Sequence, residues 1–541
     1  MTLRRTALLA LLLLLAAALA VPATGAVAQP GQAAAAAASA GADFDNDGFA
    51  DLAVGVPGEN DVAGAVSVLY GSGGGLTGTG AQVFTGVGGA AIVGLFGSAV
   101  AAGDFDNDGF ADLAAGAPFR SVGGQGAAGS VGVLYGSAGG LTTTGGQLFT
   151  QVGGADEEND QFGAALAAGD FNNDGFADLA AGAPGENVGA RAGAGAVSVL
   201  YGSSGGLTAA GGQLFTQVGG AVETGDQFGS ALAAGDINED NFADLGVGAP
   251  GENVGGVAAA GAVSALYGAG GGLGTAGGQL FTQVGGAIED GDFFGATVAA
   301  GDFNSDGAAD LAVGAPFEDV GPDELAGAVS VLYSSGGALS TAGGRLFTQV
   351  AGSVEDFDLF GMALAGGDLN DDGFEDLIAG APWERVGTVA LAGALSVIRG
   401  SAGGLTTAGG QLITQVGGTI EVDDQFGAEV GAGDFDNDGI ADLAASAPAE
   451  DVGSVFNAGA VSAGGRLFTQ NSPGVPGTAE DFDSFGGNSF TAGGRPGSQR
   501  CADGPGSRQP PSRSGCARDA LVLERTAGRS KPQRRLGRLH G

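Results

Sequence analysis

From Val27 to Gly494 the chain contains no cysteine, no histidine and no lysine. The two cysteines, Cys501 and Cys516, and the single histidine, His540, all lie beyond that stretch. The body therefore has no disulfide staple, no Cys/His or Ser/His pair for nucleophilic catalysis, and no histidine-rich zinc site. Positive charge is almost as scarce: six arginines stand against 57 acids over the same residues. Such a surface excludes nucleic acid and anionic lipid, whose phosphates need Lys/Arg partners. Past residue 20 no apolar run approaches the ~20 residues that span a bilayer. Any staple in this body has to be a metal.

The ends differ from the middle. Arg4 and Arg5 precede an apolar run from Ala7 to Ala20, and Ala26-Val27-Ala28 offers a small-x-small cleavage site. Residues 1–28 read as a secretory signal peptide and 29–41 as a linker, so a secreted or cell-surface location is expected. Beyond Gly494 eleven Lys/Arg meet only three acids. Residues 495–541 read as a disordered basic tail, or as the product of a frame-shifted end.

What fills the middle is one unit, copied. Aspartate-rich loops begin at Asp104, Asp170, Asp236, Asp302, Asp368 and Asp434, each 66 residues after the last, with Asp43 leading by 61. Phe-Gly pairs recur from Phe96 to Phe426 and prolines from Pro118 to Pro448 in the same register, most closing Gly-Ala-Pro. All five tyrosines, Tyr70, Tyr135, Tyr201, Tyr267 and Tyr333, hold one repeat position, where the next copy has Arg399. Within the copy at Phe162, alternating apolar residues predict four strands: Phe162–Ala168, Leu179–Ala183, Gly195–Tyr201 and Gln213–Val218. Such a unit cannot bury both faces alone. Linear stacking would give a solenoid, but solenoid coils are much shorter than 66 residues. Radial packing gives the expected fold, an all-β, seven-bladed β-propeller of four-stranded blades over residues 42–494. The last copy lacks Val-Leu-Tyr-Gly-Ser, and the first lacks a strand ahead of Asp43. Residues 485–494 are therefore expected to close the ring beside Leu52–Val56.

The loops carry the chemistry. Oxygen-bearing side chains fall at positions 1, 3, 5 and 9 of each: Asp43, Asp45, Asp47 and Asp51; Asp104, Asp106, Asp108 and Asp112; Asp170, Asn172, Asp174 and Asp178; Asp236, Asn238, Asp240 and Asp244; Asp302, Asn304, Asp306 and Asp310; Asp368, Asn370, Asp372 and Asp376; Asp434, Asp436, Asp438 and Asp442. A tight turn directs such side chains at one centre, as a hard cation requires, and Ca²⁺ takes six to eight oxygens. Up to seven Ca²⁺ sites are expected. Glycine at position 6 permits the sharp turn, and Asn241 replaces it in the fourth loop. An EF-hand needs an acid at position 12, where every copy here has Val or Ala.

Phe-Gly, the aspartate loop and Gly-Ala-Pro in fixed order resemble the FG-GAP repeat of integrin α-chain β-propellers. The resemblance covers about residues 43–494. It implies a seven-bladed propeller, calcium held in inter-strand hairpins by residues such as Asp104, Asp106, Asp108 and Asp112, and adhesion or ligand recognition outside the cell. The expected function is non-catalytic binding of an extracellular protein or glycan. The alternatives are a structural surface or matrix protein and, further off, a polysaccharide-acting enzyme using paired carboxylates. Variable segments after Gly-Ala-Pro, namely Arg191, Glu318–Leu325 and Trp383-Glu384-Arg385, are candidate ligand contacts. Acidic runs ahead of Phe-Gly, such as Glu157-Glu158 and Asp423-Asp424, read as solvated turns.

Overall fold

The computed structural model describes residues 42–487 and 490–492. The chain divides into two compact units, Met1–Gln499 and Arg500–Gly541, and every described residue belongs to the first. The expected signal peptide, the linker up to residue 41 and the basic tail lie outside the described residues.

Seven four-stranded antiparallel sheets form the blades of a β-propeller. Blade 3 is representative, with strands Leu166–Gly169, Asp178–Ala183, Ala196–Tyr201 and Thr208–Phe215 in spatial order. The second strand is buried along its whole length, whereas the fourth is largely open to solvent. That gradient explains the composition. Inner strands lie between two neighbouring sheets, so both faces are apolar and small. The outer strand has solvent on its free edge and tolerates Thr, Ala and Gly. A bulge between Val199 and Tyr201 lets the fourth strand start at Thr208, five residues before the alternation in the sequence suggests.

Blade 1 takes its innermost strand from the far end of the described chain. Phe490–Ala492 pairs antiparallel with Leu52–Val56, matching Leu52 with Ala492 and Val54 with Phe490. The innermost strands touch their neighbours all the way round, and Phe490–Ala492 contacts those of blades 7 and 2. Among the described residues the non-strand elements include one helical turn, Glu59–Val62.

The two short motifs that mark the repeat hold blade to blade. Phe162 lies outside the first strand, which the sequence pattern had begun there. Its backbone instead forms a parallel bridge with Gly129 of the preceding blade, its N–H donating to Ala128 O at 3.0 Å. Its ring is fully buried, as are Phe96, Phe228, Phe294, Phe360, Phe426 and Phe485. The Gly of Gly-Ala-Pro then meets the Gly of the next Phe-Gly: a Cβ on Gly182 would fall 2.0 Å from Gly229 O. Only glycine allows the two backbones to come that close.

Tyrosine adds an outer tie. Tyr135 Oη accepts the Leu207 N–H of the next blade at 3.3 Å and donates to Gln147 of its own at 2.5 Å. The equivalent ties run from Tyr70 to Leu141, Tyr201 to Leu273 and Tyr333 to Leu405. Blade 6 has Arg399 instead, and blade 7 lacks the segment that would receive it. There the third strand is only Ala460–Ala463, turns through Gly464-Gly465 at positive φ, and returns as Arg466–Phe468. This is a two-residue hairpin of the kind that needs glycine. The truncation leaves a cavity of about 410 Å³ between blades 6 and 7, with Arg399, Ile413, Val416 and Leu443 in its wall.

Candidate metal centres

In blades 2 to 7 each aspartate loop is the hairpin between the first and second strands, and in blade 1 the Asp43 loop leads into the second strand, Leu52–Val56. In blade 2 it joins Val100–Gly103 to Asp112–Gly116. Two left-handed residues tighten it. Gly109, at position 6, has φ +95°, and Asn107, at position 4, has φ +53°. Position 4 repeats this conformation in every loop, occupied by Asn46, Asn107, Asn173, Glu239, Ser305, Asp371 and Asn437. Its asparagine preference is a turn signal that reading the ligand positions alone overlooks. Asn241 takes φ +69° at position 6, so the fourth loop keeps the shape of the others.

The carboxylates are oriented by the backbone of their own loop. Asp104 accepts the N–H groups of Asp108 and Gly109 at 3.0 Å each, and Asp106 accepts that of Asp108 at 3.2 Å. Asp108 accepts the N–H of Phe110 at 3.1 Å. The result is convergence. One carboxylate oxygen from each of Asp104, Asp106 and Asp108 lies within 4.8 Å of the others, and the same holds for Asp434, Asp436 and Asp438. In the first loop the converging trio is Asp43, Asp45 and the position-9 residue Asp51. The loops with asparagine at position 3 place fewer carboxylates together. In the third, Asn172 Oδ1 is buried and accepts no hydrogen bond from any described residue.

Position 9 behaves differently from the rest. Asp112 accepts Phe105 N–H and Gly136 N–H, both at 2.8 Å, which ties the hairpin to the end of the third strand. Gly71, Gly202, Gly268, Ser334 and Gly400 donate in the same way to Asp51, Asp178, Asp244, Asp310 and Asp376. Burial pushes the Asp51 and Asp310 carboxyls up to about 8 and those of Asp112, Asp178 and Asp244 up to about 7. At position 3, burial and then the neighbouring Asp47 and Asp108 raise Asp45 and Asp106. A cation among these groups would favour their ionised forms. In blade 6 Arg399 contacts Asp376 at 2.5 Å, adding a positive charge to that loop. Asp442 in truncated blade 7 accepts only Phe435 N–H, at 3.3 Å, among the described residues, and burial lifts it to about 6. The donor set is all oxygen, with converging carboxylates and an orphaned amide oxygen, and it suits a hard divalent cation.

The candidate ligand contacts divide. Arg191 is exposed, but Glu318, Leu325 and Glu384 are buried, so the latter three cannot meet a partner. Asp424 is likewise buried, which corrects its reading as part of a solvated turn. The pattern missed two exposed aromatics, Phe456 at 62% and Phe482 at 50%. They adjoin where blade 7 meets blade 1, and Phe482 N–H donates to Phe456 O at 2.9 Å.

Seven four-stranded sheets in a ring, each with one acidic loop in the same register, define a repeat β-propeller. The FG-GAP repeat matches at residues 34–69, 96–134, 162–200, 228–266, 294–332, 360–398 and 426–463, and the chain belongs to that family. Among curated proteins, integrin alpha-5 of Xenopus laevis is 32% identical over 222 residues, 40% of this chain and 19% of that protein. The phosphatidylinositol-glycan-specific phospholipase D of Bos taurus is 37% identical over 164 residues, 29% of this chain and 19% of that one. Integrin alpha-7 of Homo sapiens is 43% identical over 97 residues, 18% of this chain and 8% of that one. The chain thus spans a fifth or less of each of these relatives.

Proposed function

We propose that this chain is an exported, calcium-binding propeller that recognises an extracellular protein or glycan, with calcium acting as scaffold. The observation that carries the scaffold is the convergence of Asp104, Asp106 and Asp108 in a hairpin repeated in register in every blade. The ligands in each loop are the residues at positions 1, 3, 5 and 9. Three carboxylates in the second and seventh loops give stronger sites than the asparagine-bearing loops. With free Ca²⁺ at ten times its Kd, one site contributes roughly 1.4 kcal/mol. Seven independent sites would contribute about 10 kcal/mol, the scale of a whole domain's stability.

Recognition belongs to the opposite end of the strands, where the loops after the second and fourth strands lie. Phe456 and Phe482 present apolar surface there, and aromatic anchors dominate binding energy at interfaces. The two integrin relatives favour a binding role. The phospholipase relative is a reason to assay hydrolysis, although the body supplies no histidine, lysine or cysteine for it. Glycan and extracellular-matrix arrays probed with and without EDTA test the reading. Calcium-dependent binding that Phe456→Ala/Phe482→Ala weakens at least tenfold supports it. Turnover of a polysaccharide or glycolipid, or binding indifferent to both EDTA and the double substitution, contradicts it.

A further inference from the structure

The sixth hairpin differs from the third in its surroundings rather than in its ligands. Positions 1, 3, 5 and 9 are Asp368, Asn370, Asp372 and Asp376, the same residue types as Asp170, Asn172, Asp174 and Asp178. Its turn is also the same. Asp371 and Gly373 have φ +57° and +83°, and Gly373 N–H donates to Asp368 Oδ2 at 2.9 Å, as Gly175 N–H does to Asp170 Oδ2. The third hairpin is therefore a matched control for the sixth.

What differs is the side chain that ends the third strand. Arg399 pairs with Thr406 after a bulge, as Tyr201 pairs with Thr208, so the backbone register is unchanged. Tyr201 reaches forward and accepts Leu273 N–H of the next blade at 3.2 Å. Arg399 turns back over its own sheet, and its Nη1 donates to Asp376 Oδ2 at 2.5 Å. The Asp376 side chain is fully buried and that of Arg399 is 17% exposed, so solvent and salt screen this pair weakly. Arg385 and Glu355, by contrast, form a half-exposed pair at 3.6 Å. Arg345 and Arg466 donate to the carbonyls of Leu405 and Leu76, away from any hairpin acid.

Asp376 holds position 9, and both of its oxygens are engaged. Oδ1 accepts Gly400 N–H at 2.9 Å. Oδ2 holds the guanidinium, and Leu369 N–H stands 3.3 Å from it, whereas Phe171 N–H lies 2.9 Å from Asp178 Oδ2. A short, charge-assisted bond of this kind is among the stronger hydrogen bonds a protein makes. A divalent ion in this loop would share one carboxylate with a guanidinium, placing like charges side by side where water screens them least. We propose that Arg399 is the resident cation of the sixth hairpin, a tethered guanidinium that neutralises Asp376 and keeps Ca²⁺ from that loop under conditions that load the third. The inference rests on the reading of the hairpins as calcium sites and takes one of the seven out of their number. The shortening of blade 7 fits it. That blade lacks the segment a tyrosine would tie to, so residue 399 serves its own hairpin instead.

Native mass spectrometry of the full chain, titrated with Ca²⁺, counts bound ions one by one, and circular dichroism checks that each variant is folded. Arg399→Gln removes the charge and should bind one ion more than the wild type at the same free Ca²⁺. Arg399→Tyr, which carries the side chain of five other blades, is the second probe should the glutamine variant not fold, and it should also add one ion. Asp376→Asn should leave the wild-type count unchanged, whereas Asp178→Asn should lower it by one. An unchanged count in a folded Arg399 variant, or an ion lost in Asp376→Asn, overturns the proposal. If Asp178→Asn still loses an ion, the hairpin reading stands without it. A wild-type chain that binds no Ca²⁺ at all removes the hairpin reading and this inference together.

Discussion

Blades 3 and 7 run the same plan to different lengths. Both keep the Phe N–H bond to the preceding blade (Phe162 to Ala128 O and Phe426 to Ala392 O, 3.0 Å each), the acidic hairpin and the inner strands, but the third strand of blade 7 stops at Ala463 and its fourth is only Arg466–Phe468. The ring still closes, through the innermost strand of blade 1. The inner half of a blade therefore sets the fold, while the outer half supplies ties that can be dropped with their partners. Tyr201 reaches Leu273, but Arg399, facing the truncated blade, turns back to Asp376. Position 9 shows the same contrast, with two backbone donors on Asp178 and one on Asp442.

The sharpest way to break this comparison is at the glycine contact between blades. Gly182→Ser puts a Cβ 2.0 Å from Gly229 O and should cost about 3 kcal/mol in denaturant unfolding. Blade 7 already carries Ser446 at that position, accepting Glu429 N–H at 3.0 Å, and Ser446→Gly should cost only about 1 kcal/mol. Next comes position 9: Asp178→Ala strands two buried N–H groups and should cost about 2–3 kcal/mol, against about 1 kcal/mol for Asp442→Ala. Tyr201→Phe removes the acceptor for Leu273 N–H and should cost about 1 kcal/mol. Arg399→Tyr has no such receiver in blade 7 and should not strengthen the junction.

The last effect is the share of the pH dependence that Glu429 adds in blade 7. Glu429 occupies the place of Ala165 and is fully buried, and burial raises its carboxyl well above the ordinary range. The folded state therefore holds that proton more tightly than the unfolded chain. Its contribution is favourable below the ordinary glutamate pKa and is lost as pH rises above it. Glu429→Ala should raise the melting temperature by roughly 2–4 °C at pH 8 and leave it nearly unchanged at pH 4. An equal gain at both pH values would assign the effect to packing.

The repeat register from Asp104 to Asp434 carried most of the fold, because each copy states its strands by alternation and its turns by Gly, Pro and Asn. The fourth strand was legible only from Gln213, since Thr208–Gly212 is an exposed edge with no apolar face to alternate. Phe162 read as strand because its pairing is with another blade rather than its own sheet. The hairpin positions were visible since their chemistry sits within nine consecutive residues.

The central claim is that calcium holds this lysine-free, acidic ring together. Differential scanning calorimetry of the full chain in about 2 mM Ca²⁺ and again in excess EDTA, at pH 7.5 and fixed ionic strength, tests it most directly. The account predicts a melting temperature lower by ~10 °C or more in EDTA, restored by adding back Ca²⁺. An unchanged melting temperature would contradict it.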